Sequence, residues 1–192
     1  AGSLAFYYLS KVAPTLLLEK NPEEHDYRSA KIIAGHAAQY LTSSVPREDP
    51  HIFLRPCNTI CYSSRNSEAF IYGKRDFGKP FGNIIDERNF IGWHLTQGIK
   101  HGGDVKWNYH VEPRSIKLET NTVVINDSIY GKMLLLATGS HAPNLQKKLG
   151  FNVPDEFNAL IATFFSNPET IDSLYKADYF YQLHPKMSTV VY

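Results

Sequence analysis

The sequence predicts an α/β fold, on three observations. A helix-like stretch from Gly2 to Lys11 runs almost directly into the apolar run Thr15-Leu16-Leu17-Leu18. A second amphipathic stretch, Asp86 to Ile99, leads into a strand-like start at Asp104. A third apolar run, Met133 to Leu136, ends in the small-residue turn Ala137-Thr138-Gly139. Unbroken apolar runs suit parallel strands covered on both faces. A helix followed at once by such a strand is the second half of a βαβ unit.

Each element has its own reason. Ala5, Tyr8 and Leu9 give the apolar spacing of one helix face, and Leu4, Tyr8 and Lys11 share a face. Ala13-Pro14 ends that helix, because proline disfavours helical backbone in the residue before it. The strand over 15–18 closes on Glu19-Lys20, and Asn21 to Asp26, with Pro22, is a loop. Ile33, Ala37 and Tyr40 recur at helical spacing, which predicts a short helix within Ser29 to Tyr40. Ser43 to Pro50 is rich in Pro, Ser and charge and predicts a linker and domain crossing. Strands are predicted at Thr59 to Ser63 and Glu68 to Tyr72, joined through Arg65-Asn66. Gly73 to Gly82 is predicted to be a loop. In the helix from Asp86, residues Phe90, Trp93 and either Leu95 or Gly98 point inward, and Asp86 and Glu87 complement its dipole. Gly102-Gly103 closes it, and a strand then runs through Lys106 to Val111. Ser115 to Leu118 and Thr122 to Ile125 predict antiparallel β with an Asn126-Asp127 turn. Lys132 to Ala137 predicts a buried strand. Beyond Phe151 the character changes, with apolar Leu160 to Phe165 and aromatic Tyr179-Phe180-Tyr181.

Composition narrows the function. At about 150 residues per domain, 192 residues make one to two domains. A hydrophobic content of 43% excludes global disorder. Twenty basic against nineteen acidic residues leave +1, so no basic excess points to nucleic acid. No apolar run approaches the ~20 residues that span a bilayer. Two cysteines, Cys57 and Cys61, cannot form a disulfide framework; a reducing, cytoplasmic compartment and buried thiols are expected. Their three-residue gap comes with no His pair at zinc-finger spacing, and the scattered histidines form no His-Glu-x-x-His pair. No metal site is predicted. There is no charged-then-apolar leader. The chain opens at Ala1-Gly2-Ser3 and stops in an apolar run, so it is expected to be a piece of a longer protein, with the first strand of the βαβ unit before residue 1.

Three features carry chemistry. Gly2 opens a helix, and Glu19 closes the next strand 17 residues on. In a Rossmann unit the last glycine of the phosphate turn lets helix and strand pack closely. The helix N-terminus then meets a pyrophosphate, and an acid about 20 residues on takes ribose hydroxyls. The same residues also fit a glycine beside a core helix and a glutamate at a strand end. Thr138-Gly139 fits either backbone approach to a dinucleotide at the carboxyl ends of strands or an ordinary strand-to-loop glycine. Arg88 could grip a phosphate bidentately or lie solvated on a helix face.

Taken in order, these motifs resemble the glutathione-reductase-type flavoproteins, and most of all their geranylgeranyl reductase branch. The related aromatic hydroxylases share the pattern. The matching stretches are Ala1-Gly2-Ser3-Leu4-Ala5 through Leu16-Leu17-Leu18-Glu19-Lys20; Glu87-Arg88-Asn89-Phe90 with Leu95 and Gly102-Gly103-Asp104-Val105; and Leu135-Leu136-Ala137-Thr138-Gly139-Ser140 with Leu149-Gly150. The resemblance covers most of 1–150. It implies an incomplete Rossmann-like FAD-binding domain over 1–46 and 83–150, with parts of a mixed-β substrate domain at 47–82 and 151–192. It implies FAD as cofactor, held by Gly2 and Ser3 at the pyrophosphate and by Glu19, with Lys20 beside it, at the adenosine ribose. Arg88 contacts the cofactor, Val111 lies against adenine, and Thr138 and Gly139 line the adenosine side. NAD(P)H becomes a candidate electron donor. The implied activity is reduction of isoprenoid double bonds, with a small-molecule or lipid substrate and peripheral membrane contact. The alternatives are a flavin-dependent aromatic hydroxylase and a non-catalytic, degenerate nucleotide-binding relative. The chain departs from the branch in having no cysteine near Arg28-Ser29-Ala30 or Ala34-Gly35, and it lacks the later glycine-aspartate motif. No catalytic residue is therefore assigned.

Overall fold

A computed structural model describes residues 1–24, 30–34, 45, 49–139, 143–153, 167, 169–170, 173, 177–183 and 188–191. The chain divides into two compact units. The first comprises Ala1–His25 and His94–Ile161, and the second Asp26–Trp93 and Ala162–Tyr192. Both are discontinuous in sequence.

In the first unit, α1 (Gly2–Ser10) leads into β1 (Leu16–Leu18). Strand β1 pairs in parallel with β7 (Asp104–Lys106), Leu17 opposite Val105. The helix buries Phe6, Tyr7 and Ser10, while Tyr8 is exposed. The inward face is therefore turned from the one that Ala5, Tyr8 and Leu9 predict. Helix α3 (Glu87–Lys100) explains the difference. An added Cβ at Gly98 would stand 2.4 Å from the Phe6 ring, and one at Gly103 would stand 2.6 Å from it. Phe6 fills the space that two missing side chains leave. Ser10 Oγ donates to Phe6 O at 2.7 Å and so satisfies itself within the buried face. His94 is fully buried on α3 and packs edge-on to Tyr7, with ring centroids 5.7 Å apart.

Strands β8 (Ile116–Leu118), β9 (Val123–Ile125) and β10 (Ile129–Gly131) form an antiparallel meander. Asn126 and Asp127 turn between the last two with φ of 50° and 52°, the left-handed pair that a tight hairpin favours. Ile116, Ile125 and Leu145 make the buried cluster, packed by Leu18, Val111, Leu134 and Leu136 among others. Leu145 comes from α4 (Pro143–Lys148), a helix unforeseen although proline starts it and Gly150 follows it.

Two expectations fail in this unit. Val111 does not end a strand, because β7 stops at Lys106 and Asn108 turns the chain at φ 54°. Residues 132–137 lie in no strand. The segment alternates exposed and half-buried positions, with Met133 81% and Leu135 55% exposed. No described strand runs alongside it to complete a ladder or cover that outer face.

The second unit holds two sheets. Strand β4 (Thr59–Ser63) and β5 (Glu68–Tyr72) form the expected hairpin. On its other edge β4 pairs in parallel with β11 (Tyr179–Leu183), which pairs in turn with β12 (Ser188–Val191). The sheet is mixed. Its junction is held by Asp178: Oδ2 accepts the N–H groups of Asn58 (2.8 Å) and Thr59 (2.9 Å), and Oδ1 meets Arg55 Nη2 at 3.0 Å. The other sheet has β6 (Gly82–Asp86) between β2 (Ala30–Ala34) and β3 (Phe53–Cys57), both antiparallel to it. Pro56 is tolerated because β3 is an edge strand. The helix expected within Ser29 to Tyr40 is thus a strand over Ala30–Ala34. Ile32 and Ile33 suit a pleated surface, and Ile33 is buried with Ile85 against Phe53 and Phe90. Residues 35–40, most of the 43–50 linker and 160–165 lie outside the described residues. The expected loop over Gly73 to Gly82 contains the short helix α2 (Gly73–Phe77). Asp86 ends β6 and caps α3, its Oδ1 accepting the Asn89 N–H at 2.8 Å.

Two glycines of α3 should respond oppositely to alanine. A mid-helix alanine gains about 0.5–1 kcal/mol over glycine. Gly92 has no atom within 4 Å of an added Cβ, so Gly92→Ala should raise the urea midpoint. At Gly98 the added carbon drives into the buried Phe6 ring. Overpacking costs about 1–3 kcal/mol, and Gly98→Ala should lower the midpoint despite the helix gain.

Candidate functional site

In the first unit the first turn of α1 approaches β1 and the segment that leads to Thr138. Gly2 stands where an added Cβ would lie 3.3 Å from Ala137 Cβ and 4.0 Å from Leu17 Cδ1. One residue without a side chain therefore lets the helix start approach both the strand and the segment that leads to Thr138. Among the described residues no side chain caps the first turn, and the turn itself contains no acidic residue.

Glu19 follows β1 directly. Its N–H donates to Lys106 O (3.0 Å) and its O accepts from Tyr109 N–H (2.8 Å), which continues the β1–β7 register past both strands. Its Oε1 accepts the Asn21 N–H at 2.9 Å. No described residue donates to Oε2, so half the carboxylate can accept from a ligand hydroxyl. Lys20, next in sequence, is exposed. Val111 packs on the cluster that also takes Leu18 and Leu136, so the residues preceding Glu19 and Thr138 share one core with it. Thr138 is half-buried. Gly139 has φ 61°, a left-handed conformation that glycine adopts at little cost. Gln146 Nε2 donates to Gly139 O at 2.9 Å and lies 3.3 Å from Thr138 Oγ1. This last residue was not foreseen. It lies on α4, and no linear spacing marks it.

Seven of the eight expected residues, Gly2, Ser3, Glu19, Lys20, Val111, Thr138 and Gly139, therefore belong to one unit, with Lys20 at its surface. Arg88 is exposed on α3 in the stretch that belongs to the second unit.

The other candidates carry no chemistry. Cys57 and Cys61 are free thiols with no exposure. Burial, then the Asp178 carboxylate, pushes the Cys57 thiol up to about 11, and burial also raises Cys61. Among the described residues no group of His, Cys, Asp and Glu could hold a metal ion, and no helix is long and apolar enough to cross a membrane.

No protein-family model matches the sequence, and no curated protein matches it. Solved structures do resemble it. The halogenase PltM, solved with phloroglucinol and FAD, has a TM-score of 0.58 at 17% identity over 80% of this chain and 35% of its own. CtdE, solved with FAD and a substrate, has a TM-score of 0.55 at 12% identity over 76% of this chain and 36% of its own. A flavoprotein/dehydrogenase from Cytophaga hutchinsonii has a TM-score of 0.52 at 15% identity over 81% of this chain and 40% of its own. The chain thus spans roughly 35–40% of the length of these proteins. These likenesses show the fold alone: α/β and Rossmann-like, present in part.

The buried thiol has a pH signature. Its folded pKa lies above the 9.0 of an unperturbed cysteine. The unfolded chain therefore loses its proton first, and stability present below pH 9 falls as pH rises toward about 11. Cys57→Ala should flatten that alkaline decline in urea titrations from pH 8 to 11 relative to the unaltered chain.

Proposed function

We propose that this chain is the dinucleotide-binding part of an FAD-dependent oxidoreductase. The observation that carries the reading is that a helix start, a strand-end carboxylate and a left-handed glycine turn lie within one compact unit. That donor set fits a dinucleotide. Backbone N–H groups at a helix start suit a pyrophosphate, and a carboxylate with a spare oxygen suits ribose hydroxyls.

In this reading the N–H groups of Gly2 and Ser3 donate to pyrophosphate oxygens. Glu19 Oε2 accepts from the adenosine ribose, beside Lys20. Val111 supplies apolar surface to adenine, and Thr138 and Gly139 line the adenosine side; Arg88 belongs to the other unit and has no part in this site. Bound FAD supplies hydride-transfer chemistry that the chain's own side chains do not possess. The protein's part is to hold and orient it.

The finer reading is reduction of isoprenoid double bonds, with NAD(P)H as donor and contact with a membrane surface through the lipid substrate. The Glu87-Arg88-Asn89-Phe90 and Leu136-Ala137-Thr138-Gly139 motifs support it. The second reading is oxidation of a compact aromatic substrate. It is supported by the likeness to a halogenase solved with phloroglucinol and FAD. Under the second reading, an aromatic hydroxylase, turnover of FAD-loaded protein needs O₂, a phenol and NAD(P)H as the two-electron donor. Under the first, anaerobic reduced protein is reoxidised by a geranylgeranyl alkene.

FAD titration of the purified chain, followed by flavin fluorescence, tests the common core. The chain should bind and turn yellow, and Glu19→Gln should weaken binding at least about tenfold, as loss of a charged hydrogen bond does. A chain that takes up no FAD favours the non-catalytic relative or a site cut short by truncation.

A further inference from the structure

We propose that Gln146 is a positioning residue that sets Thr138 as a hydrogen-bond donor toward an oxygen of the bound nucleotide; this rests on the FAD reading above. The chemistry follows from which groups can donate. Gly139 O can only accept, so the Gln146 atom 2.9 Å from it is the amide nitrogen. The same nitrogen lies 3.3 Å from Thr138 Oγ1. One of its hydrogens serves the carbonyl and the other serves the hydroxyl. Thr138 Oγ1 is thereby an acceptor from Gln146, and its single proton remains to be donated elsewhere. Thr138 is half-buried and Gly139 exposed, so a ligand oxygen can reach that proton.

The arrangement does a second thing. It ties the Gly139 carbonyl, whose negative end would repel a phosphate or ribose oxygen, to α4. The tie is firm at its far end, because the neighbouring Leu145 is buried with Ile116 and Ile125. It also holds the left-handed turn at Gly139, φ 61°, in one conformation before any ligand arrives. Preorganisation of this kind raises affinity by removing an ordering cost.

Two measurements test the proposal on the full chain. The first is a double-mutant cycle on FAD affinity. Gln146→Met keeps the length and removes the donors, while Thr138→Val keeps the shape and removes the hydroxyl. Each should weaken binding about two- to tenfold, the worth of a neutral hydrogen bond. Thr138→Ser should restore it. The double variant should bind no worse than Thr138→Val alone, because both changes remove one coupled interaction. Unchanged affinity in Gln146→Met, or losses that multiply, overturns the proposal. The second is backbone ¹⁵N relaxation of the unliganded chain. Gln146→Met should drop the order parameters of Thr138 and Gly139 from the rigid range near 0.85 to below about 0.6. Unchanged values overturn the tie. A parent chain that binds no FAD removes the function proposed above, and the relaxation measurement still decides whether Gln146 holds the turn.

Discussion

Phe6 reaches its buried position only because residues 98 and 103 are glycines, and the first unit depends on that seat. An added Cβ at either would stand 2.4–2.6 Å from the ring, well inside contact distance. With the ring seated, α1 lies against α3, Tyr7 meets His94 edge-on, and the helix enters β1 after the turn at Lys11 to Pro14. The start of the same helix is then free to approach Leu17 and Ala137 through Gly2. The proposed binding site is a consequence of helix packing at the other end of α1.

The two units divide the chemistry. The first carries an open set of polar groups: helix N–H groups, one carboxylate oxygen and a hydroxyl. Among its described residues the second ties several charged groups into the fold, although the buried Asn58 Oδ1 has no partner there. Asp178 accepts from two amides and pairs with Arg55, Asp86 caps α3, and Lys31 pairs with Glu87. Satisfied groups hold a fold together, whereas groups with spare hydrogen-bonding capacity are the ones available to a ligand.

Local signals were legible and long-range ones were not. The β4–β5 hairpin could be read because Arg65-Asn66 separates two apolar stretches, and the β8–β9–β10 meander because Asn126-Asp127 is a turn pair. The pairing of β1 with β7 spans nearly ninety positions of register, but each strand betrayed itself by composition. Strand β2 was misread because Ile33, Ala37 and Tyr40 satisfy helical spacing, while the deciding partner, β6, lies fifty residues away in the ladder. Strand β6 itself was missed because Gly82 and Asn83 resemble a loop before Ile84-Ile85. On α1 the helix is right and its face wrong, since nothing in the helix discloses that Gly98 on α3 and Gly103 just beyond it make room for Phe6. At the candidate site Gly2, Glu19 and Thr138-Gly139 were found by order along the chain. Gln146 was not, because its role is a distance rather than a spacing.

The parallel pairing of β4 with β11 has a consequence for how the polypeptide is made. Asn58 and Asp178, which lock the junction, are 120 residues apart. As the ribosome delivers the chain from its N-terminus, the β4–β5 hairpin emerges complete while one side of β4 still shows unmatched amides and carbonyls. That side stays open until the stretch bearing Asp178 is synthesised, at roughly 5–20 residues each second. The nascent protein thus passes through a period of several seconds in which an adhesive strand edge is bare.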